Sequence, residues 1–462
     1  FRLVYEQASC KKNIKRLWIS SMEDVAIKEG FRQLKDGKEY EALYRSALAR
    51  SKADWLVGMN MSRLYSLIYN QNYSVGRVQT PTLFMIVKRD DEITAFKKEK
   101  YYIGELYFTG FTLSTDRIDS LEIVEDLVNV VGYKITVRNV EKKEKLTKPD
   151  LPFDLTTLQR ECNKYFGYSA KQTLDYAQSL YEKKMITYPR TDSRYLSEDM
   201  IINTINNILG KNDFDTERIK VIFNSAKVTD HHAIIPTVSS LEEDMSTIPE
   251  SERKIYNLIL NKLHASAGYP LIENITKIVA VYESQGDVFE FKASGKVITD
   301  EGFTKYLKQY GSKKNEDVVL PDLNVGDVLE IKDKEIKEKY TTPLKHFTED
   351  TLLKAMELAG NDALQKGIEV ERRGLGTPAT RAGIIENLIS KDFIERDKKN
   401  LIATKKGKAL IEIVEDNFKS AKTTAKWEIK LSEIALGKAS NEAFLSCIET
   451  EIKETVAKYK GR

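Results

Sequence analysis

One stretch of this chain is more informative than any other: Met185-Ile186-Thr187-Tyr188-Pro189-Arg190-Thr191-Asp192-Ser193. Pro189 disfavours the helical conformation in the residue before it, so Tyr188 is predicted to lie in an extended loop. Arg190 carries a permanent positive charge and can bind a phosphate through two parallel hydrogen bonds. A tyrosine beside such a cation has the chemistry of a nucleophile for a phosphodiester. The alternative is a turn in which Tyr188 packs and Arg190 pairs with Asp192.

Helices are predicted on both sides of this loop. Ser169, followed three residues later by Gln172, is typical of a capping box at the start of a helix. Beyond the loop, Ser197 followed by Glu198 indicates a second helix start. Two such helices would hold Tyr188 firmly in place.

The loop and three further segments resemble the motifs of type IA DNA topoisomerases, most closely those of the bacterial topoisomerase III branch. Residues 186–193 resemble the motif of the active-site tyrosine in that family. The other three segments follow the family's order: Ser74-Val75-Gly76-Arg77-Val78-Gln79-Thr80-Pro81-Thr82-Leu83, His231-His232-Ala233-Ile234-Ile235-Pro236-Thr237 and Gly374-Leu375-Gly376-Thr377-Pro378-Ala379-Thr380-Arg381. Four matches in order, spread over most of the chain, make the resemblance specific.

The resemblance implies a DNA topoisomerase that cleaves one DNA strand, passes a strand and reseals the break without ATP. Tyr188 would form the 5′-phosphotyrosine link, with Arg190 stabilising the transition state. The resemblance places His231 near the tyrosine and the scissile phosphate, and leaves His232 a structural role. It also implies Mg²⁺, bound by an acidic TOPRIM domain whose acidic motif does not occur in this sequence.

Two threonine-proline pairs indicate sites where DNA could bind. Thr80-Pro81 and Thr377-Pro378 each suit an N-cap followed by proline in the first helical turn. The start of a helix exposes backbone N–H groups that bind phosphate well. The residues predicted to contact DNA are Arg77, Gln79, Thr80, Thr191, Asp192, Ser193, Thr377, Thr380 and Arg381.

Helix-like and strand-like regions alternate along the chain, which predicts an α+β multidomain protein. Its predicted units are a TOPRIM remnant (1–25), a helical region (26–100), a β-rich region (101–150), a helical unit with the tyrosine (151–270), a second β-rich region (271–345) and a winged-helix-like helical region (346–462). The alternation suits a nested layout, which the resemblance implies is a toroid with a β-rich arch. The stretch from Glu141 to Lys148 is predicted to be a hinge or linker. The strand at the end of the TOPRIM remnant is predicted to run from Arg16 to Ser21.

Composition restricts the partners and the compartment. The net charge is 73 − 70 = +3, which excludes a simple polycationic DNA coat but permits local basic clefts. Three scattered cysteines without a Cys-x-x-Cys pattern predict no zinc site and suit a reducing cytoplasm. Without an apolar run of about 18 residues, no membrane partner is expected. We expect a monomer that binds single-stranded DNA in the bacterial cytoplasm and, lacking the TOPRIM motif, cleaves it poorly when alone.

Two other classes of protein stay open at this point. A non-enzymatic winged-helix DNA-binding protein accounts for residues 374–404 but leaves Tyr188 and Arg190 without a role. A tyrosine recombinase or relaxase also uses phosphotyrosine chemistry. Recombinases need several arginines around the tyrosine and relaxases a cluster of three histidines, and the sequence has neither pattern.

Overall fold

The computed structural model describes residues 2–19, 24–210, 214–228, 230–284, 286–311, 318–360 and 374–460. The helices are α1 (Arg2–Gln7), α2 (Asp24–Arg32), α3 (Glu41–Tyr69), α4 (Gln79–Ala95), α5 (Leu121–Val130), α6 (Leu155–Phe166), α7 (Ala170–Glu182), α8 (Ile201–Asn203), α9 (Thr216–Ile222), α10 (Glu250–Ala267), α11 (Glu349–Leu358), α12 (Pro378–Ser390), α13 (Lys405–Ile413), α14 (Asp416–Lys419), α15 (Ala421–Ala435) and α16 (Asn441–Lys458). The strands are β1 (Lys15–Arg16), β2 (Lys35–Asp36), β3 (Lys100–Tyr107), β4 (Thr112–Ser114), β5 (Lys134–Thr147), β6 (Leu271–Ser284), β7 (Asp287–Asp300), β8 (Val328–Glu330), β9 (Asp333–Tyr340), β10 (Phe347–Thr348), β11 (Ile394–Asp397) and β12 (Asn400–Ala403).

A seven-stranded sheet with the order β8-β5-β6-β7-β4-β3-β9 explains how the units are nested. Strand β3 is antiparallel to β9, with Lys100 opposite Tyr340, so the chain enters and leaves the sheet region side by side. Strand β5 is antiparallel to β6 in the same way, with Thr147 opposite Leu271. The helical segment between β5 and β6 is therefore inserted into the sheet region, which is itself inserted into a helical unit.

The sheet curls until its two edges meet. Edge strands β8 and β9 follow one another in the chain, and the residues between them bond to both sides of the sheet. The Ile331 N–H donates to the Tyr133 carbonyl at 2.8 Å, and the Lys332 N–H donates to the Tyr107 carbonyl at 2.9 Å. Apolar side chains such as Phe291 fill the interior of the curl.

The first and last helical regions share one hydrophobic core. Helix α3 buries a small or apolar residue about every fourth position, from Ala49 to Tyr65, which gives it one apolar stripe. That stripe packs with Leu83 of α4 and with residues from the C-terminal helices, including Leu353 and Leu431. Two regions separated by some 250 residues of sequence thus form one unit, here called the terminal helical unit.

The inserted helices form a second unit, here called the tyrosine unit, with α6, α7 and α10 around its main core. Phe153, Leu158, Leu180 and Ile259 are nearly inaccessible to solvent in that core. Helix α7 starts at the predicted capping box: the Gln172 N–H donates to the Ser169 hydroxyl at 3.1 Å, and the Ser169 N–H donates to the Gln172 side chain at 2.9 Å. The Tyr188 loop follows the end of this helix.

The predicted α+β class is confirmed, but several local predictions were wrong. The charged stretch from Glu141 to Lys148 is no linker, because β5 continues through it to Thr147. Opposite charges face one another across the ladder, as with Lys145 and Glu273, and such pairs stabilise an exposed ribbon. The strand predicted from Arg16 to Ser21 ends at Arg16 instead, and Ser20 and Ser21 lie outside the described residues.

The region after Ser197 also differs from the single helix that was predicted. It forms a 3-10 turn (Glu198–Met200), the short α8 and a π-helical turn (Thr204–Leu209). The Ser197 hydroxyl caps no N–H group in the structure. Across the described ranges, no helix is both long enough and apolar enough to span a membrane.

Candidate active site around Tyr188

Tyr188 lies in a loop whose backbone is bonded to a second loop, residues 231–237. The Thr187 N–H donates to the Ile235 carbonyl at 2.9 Å. The Thr187 hydroxyl donates to the Ala233 carbonyl at 3.0 Å. Since Thr187 is itself buried, the residue just before the tyrosine is fixed on two sides. The loop therefore presents Tyr188 from a rigid base.

The Tyr188 ring is half-buried between two other rings. The Tyr181 ring meets it edge to face, with centroids 5.3 Å apart and planes at 74°. The His231 ring lies closer, with centroids 4.4 Å apart and planes at 49°. Within the described ranges, the Tyr188 hydroxyl forms no hydrogen bond. The ring is held by its neighbours while its hydroxyl stays available for a substrate.

Arg190 is exposed, whereas the Pro189 ring between it and Tyr188 is buried. Its guanidinium forms no hydrogen bond or ion pair with the part of the chain that the structure describes, Asp192 included. A cation two residues from the tyrosine and without a protein partner is suited to bind a phosphate bidentately. The alternative in which Arg190 pairs with Asp192 is not what the structure contains.

The side chains of Thr191 and Ser193 are buried and brace the loop. The Thr191 hydroxyl donates to the His231 carbonyl at 2.8 Å and accepts from the Ser193 N–H at 3.1 Å. The Ser193 hydroxyl donates to the Lys227 carbonyl at 3.2 Å. Asp192, between them, is exposed. The geometry gives Thr191 and Ser193 a positioning role, and their predicted contact with DNA stays a prediction.

His231 is half-buried, and its Nδ1 atom is shielded from solvent without a hydrogen-bond partner in the described structure. Burial lowers the pKa of His231, against an opposing effect of the Asp230 and Asp192 carboxylates. The imidazole is therefore neutral at pH 7 and carries one donor and one acceptor nitrogen. His232 is buried in the core, where its Nδ1 lies 2.8 Å from the Ala233 carbonyl oxygen.

Arg77 lies in a buried ion-pair cluster of the terminal helical unit. Its Nε donates to Asp54 at 2.6 Å and its Nη1 donates to Glu428 at 2.7 Å. Glu428 also accepts from Arg50 at 2.8 Å. Burial alone would raise the pKa of Glu428, but the two guanidiniums lower it below its ordinary value. The Arg77 side chain is 8% exposed, so it braces this segment from inside.

Thr80 is not the N-cap that the sequence predicted, since α4 begins at Gln79. The Thr80 hydroxyl is buried and accepts from the Gly76 N–H at 3.0 Å, which closes the turn before the helix. Gln79 is partly exposed, and its amide donates to the Ser74 carbonyl at 3.2 Å. Of the three predicted residues in this segment, Gln79 is the one best placed to meet a ligand.

The second threonine-proline pair is placed as predicted. Thr377 is the N-cap of α12, and Pro378 is its first residue. The Thr377 N–H donates to the Thr380 hydroxyl at 2.9 Å, and Thr380 is exposed. Gly374, at φ +82°, lies so close to the backbone of α11 that a Cβ atom there would be 2.4 Å from the Met356 carbonyl oxygen. That approach sets where α12 starts.

Arg381 is buried and connects α12 to the tyrosine unit. Its Nε donates to the Leu375 carbonyl at 3.2 Å, and its Nη1 donates to the Thr156 hydroxyl of α6 at 2.9 Å. Burial lowers its pKa, opposed by carboxylates that include Asp192. The structure thus brings the glycine-rich segment close to the tyrosine loop. No described contact brings Arg77 there.

A buried carboxylate joins the two units near the start of α7. Glu349 of α11 accepts from the Ala170 N–H at 2.5 Å and from Arg396 at 2.7 Å. Beside it, Arg160 of α6 pairs with Asp350 at 2.8 Å. The contact between the tyrosine unit and the terminal helical unit is therefore partly polar, as at interfaces that separate and re-form.

Within the described ranges, no group of three histidine, cysteine, aspartate or glutamate side chains is arranged to hold a metal ion. These residues do not fit the Mg²⁺ that the family resemblance implies.

Comparisons with known proteins define the class. The sequence profile of the DNA topoisomerase family matches residues 38–446. The structure is similar to that of full-length topoisomerase I from Thermotoga maritima, with a TM-score of 0.75 and 25% identity, over 96% of this chain and 72% of that one. The chain belongs to the DNA topoisomerase family.

Two relatives indicate which branch of the family the chain is similar to. The chain is 39% identical to DNA topoisomerase 3 of Bacillus subtilis, with 100% of this chain and 67% of that protein covered. It is 38% identical to DNA topoisomerase 3 of Bacillus licheniformis, with 100% and 66% covered. The type IA, topoisomerase III-like assignment predicted from the motifs is confirmed. The chain spans about two thirds of the length of these curated relatives.

Two neighbours of the site were not predicted. Tyr181 lies seven residues before Tyr188, at the end of α7, and the turn that brings the rings together gives no sequence signal. Trp18 contacts the segment 230–237, here called the histidine loop, by a hydrogen bond to Asp230, which lies 212 residues away in sequence. Contacts over such separations depend on the nesting of the units, which local patterns do not encode.

Proposed function

We propose that the side chains of this chain perform the strand cleavage and resealing of a type IA DNA topoisomerase, and that the chain does so only weakly without a TOPRIM domain. The Tyr188 oxygen attacks a backbone phosphorus of single-stranded DNA, forms a 5′-phosphotyrosine bond and releases a 3′-hydroxyl. Attack by that hydroxyl breaks the phosphotyrosine bond and restores the strand. A phosphoester bond is kept throughout, so no ATP is required. The observation that carries the proposal is a Tyr188 hydroxyl with no hydrogen bond to the described residues, two positions from an exposed Arg190 that pairs with none of them.

The neighbouring side chains have complementary tasks. Arg190 binds the non-bridging oxygens of the phosphate and stabilises the charge that develops on them in the transition state. The neutral His231 ring can accept the phenolic proton or donate its N–H to a phosphate oxygen. The Thr191 hydroxyl fixes the backbone of His231 beside the tyrosine loop. Mg²⁺ would supply further charge neutralisation, and no step is assigned to it.

We infer that DNA reaches the tyrosine past the starts of α4 and α12. Gln79 at the start of α4, and Thr377 and Thr380 at the start of α12, are the predicted contacts that are at least partly exposed there, and we expect their side chains to bind the DNA backbone. Arg77, Thr80 and Arg381 support these starts from within. Asp192, exposed in the tyrosine loop, is a further residue that we expect to contact the same strand. The partner is single-stranded DNA in a bacterial cytoplasm, and the protein acts as a monomer.

A winged-helix DNA-binding protein without catalysis is the second candidate. The observation in its favour is the three-stranded sheet β10-β12-β11 beside α12, with a tight turn at Lys398 between β11 and β12. A wing of this kind binds DNA in many proteins. This candidate predicts preference for duplex DNA and no covalent product.

The test uses a single-stranded oligonucleotide labelled at its 3′ end, mixed with protein and Mg²⁺ and stopped with SDS. A labelled protein band that disappears in Tyr188→Phe supports the proposal, because the 3′ label stays attached only through a 5′-phosphotyrosine link. Tyr181→Phe is the matched control and should keep the band. A version preceded by a TOPRIM domain is run beside this chain. Absence of a band from both would favour the winged-helix candidate.

A further inference from the structure

The orientation of the His231 ring depends on other rings rather than on hydrogen bonds. Its Nδ1 is buried without a partner in the described structure, and no described hydrogen bond anchors its side chain. The bond from Thr191 reaches the backbone carbonyl of His231, which fixes the Cα position but not the rotation of the ring. Something else must keep the imidazole facing Tyr188.

Trp18 makes two contacts with the histidine loop. Its ring stacks on His231, with centroids 6.4 Å apart and planes at 21°. Its indole N–H donates to the Asp230 carbonyl at 3.0 Å, one residue before the histidine. The hydrogen bond fixes the indole relative to the loop backbone, and the stacked ring then limits the rotation of the imidazole.

Trp18 is itself supported from its own segment. The Arg16 guanidinium lies 5.3 Å from the centre of the Trp18 ring and 4.3 Å from that of Tyr40. Cations over aromatic faces are attracted to them electrostatically. Although the Trp18 side chain is 43% exposed, it is thus held at both ends.

We propose that Trp18 is a positioning residue that sets the plane of the His231 imidazole against the Tyr188 ring. Trp18 touches neither the phenol nor the phosphate in this scheme, and it acts through His231. Its effect on cleavage rests on the proposed function above. The physical contact between Trp18 and His231 does not, and it can be measured without DNA.

The first test follows tryptophan fluorescence against pH. A protonated imidazole stacked on an indole quenches the fluorescence of the indole. Trp18 emission should therefore fall as the pH is lowered and His231 becomes protonated. The charged or titratable groups around the pair are Asp230, Asp192, Tyr188, His232 and Arg16. The pH-dependent component should disappear in both Trp18→Phe and His231→Gln. A component that persists in His231→Gln and in Trp18→Phe would overturn the proposed contact.

The second test measures cleavage and DNA affinity separately. Trp18→Ala should slow adduct formation roughly 10- to 100-fold, the scale of a misplaced catalytic group, with single-strand affinity unchanged. Trp18→Phe keeps a stacking ring and should restore most of the rate. Circular dichroism checks that both variants are folded. Equal slowing by Ala and Phe, or equal loss of affinity and rate, would contradict a positioning role.

The two tests separate failure of this inference from failure of the proposed function. If no Tyr188 adduct forms even in the parent protein, the proposed function fails while the fluorescence result still decides whether Trp18 holds His231. If the adduct forms and Trp18→Ala leaves its rate unchanged, only the positioning role of Trp18 is wrong.

Discussion

The carboxylate of Glu349 accepts a hydrogen bond from the backbone N–H of Ala170 at 2.5 Å, across the junction between the terminal helical unit and the tyrosine unit. Ala170 is the first residue of α7, the helix that leads to Tyr188. A negative charge at the start of a helix is stabilised by the unpaired N–H groups there. This buried side chain thus links the start of α7 to the terminal helical unit.

Glu349→Gln should loosen this junction. The amide keeps the shape of the side chain but removes the charge that attracts both Ala170 and Arg396. We expect a loss of about 1–3 kcal/mol in the free energy of unfolding, typical of a disrupted buried charged hydrogen bond. Hydrogen exchange at the Ala170 amide should become faster, which mass spectrometry can measure.

The matched control for that change is Glu386→Gln. Glu386 pairs with the same Arg396 at 2.6 Å but lies nearer the surface and does not contact Ala170. It should change stability by less than about 0.5 kcal/mol and leave exchange at Ala170 unaltered. Equal effects of the two substitutions would show that Arg396 pairing, rather than the bond to α7, holds the junction.

Arg190→Lys should reduce cleavage more than binding. Lysine keeps the positive charge but lacks the planar fork that binds two phosphate oxygens at once. We expect the rate of adduct formation to fall about 10²- to 10³-fold, with a much smaller change in single-strand affinity. Single-turnover cleavage and fluorescence anisotropy measure the two quantities.

Lys220→Ala is a control at another exposed cation. Lys220 lies in the same unit, is exposed and pairs with Glu217. Its removal should leave the cleavage rate unaltered. Parallel losses of rate and affinity in Arg190→Lys would assign Arg190 to ground-state binding instead of the transition state.

Arg77→Ala should destabilise the fold, since Arg77 is buried. The substitution leaves Asp54 without this partner and leaves Glu428 paired with Arg50 alone. Breaking a buried ion pair by removing one partner costs about 3–5 kcal/mol. Urea unfolding measures the loss. Arg63→Ala, an exposed change on α3, should cost less than about 0.5 kcal/mol. A stable Arg77→Ala variant that simply loses DNA affinity would instead make Arg77 a DNA contact.

The same cluster predicts a pH dependence of stability. The pKa of Glu428 in the fold lies below its ordinary value of 4.5. Its contribution is therefore fully present above pH 4.5 and is lost as the pH falls from there through the lower folded pKa. The parent should lose stability over that range more steeply than Glu428→Gln. Identical slopes would show that other carboxylates govern the acid unfolding.

The rate of adduct formation should depend on the protonation of His231. Burial lowers the pKa of His231 below its ordinary value of 6.5, so the neutral form persists at pH 6.5 and is lost at lower pH. Adduct formation should therefore be maintained at pH 6.5 and decline below it. His231→Gln should be slower and lack that decline, whereas His346→Gln should retain it. If the rate of adduct formation still declines below pH 6.5 in His231→Gln, another group is responsible for the decline.

Local chemistry explains which features could be predicted from the sequence. The capping box at Ser169 and the N-cap at Thr377 depend on residues within three positions of one another in sequence. The structure contains both. The family motifs also identified the fold, because they occur in a fixed order over most of the chain.

Features that depend on distant segments could not be predicted. Arg77 resembles a surface arginine until Glu428, 351 residues later, is seen beside it. Arg381 likewise finds Thr156 only through the nesting of the units. The charged stretch of β5 resembles a linker because its partner strand begins 124 residues after β5 ends, 271 − 147. In each case the deciding partner is set by tertiary topology.

The most direct test of the central claim locates the nucleotide on the protein. The chain is trapped with a single-stranded oligonucleotide and Mg²⁺, treated with nuclease and digested with trypsin, which cuts after Lys184 and after Arg190. The account predicts a peptide of residues 185–190 carrying a nucleotide 5′-phosphate on Tyr188, and none from Tyr188→Phe. A nucleotide on the preceding peptide, which contains Tyr181, or a 3′-phosphate link on Tyr188 would contradict it.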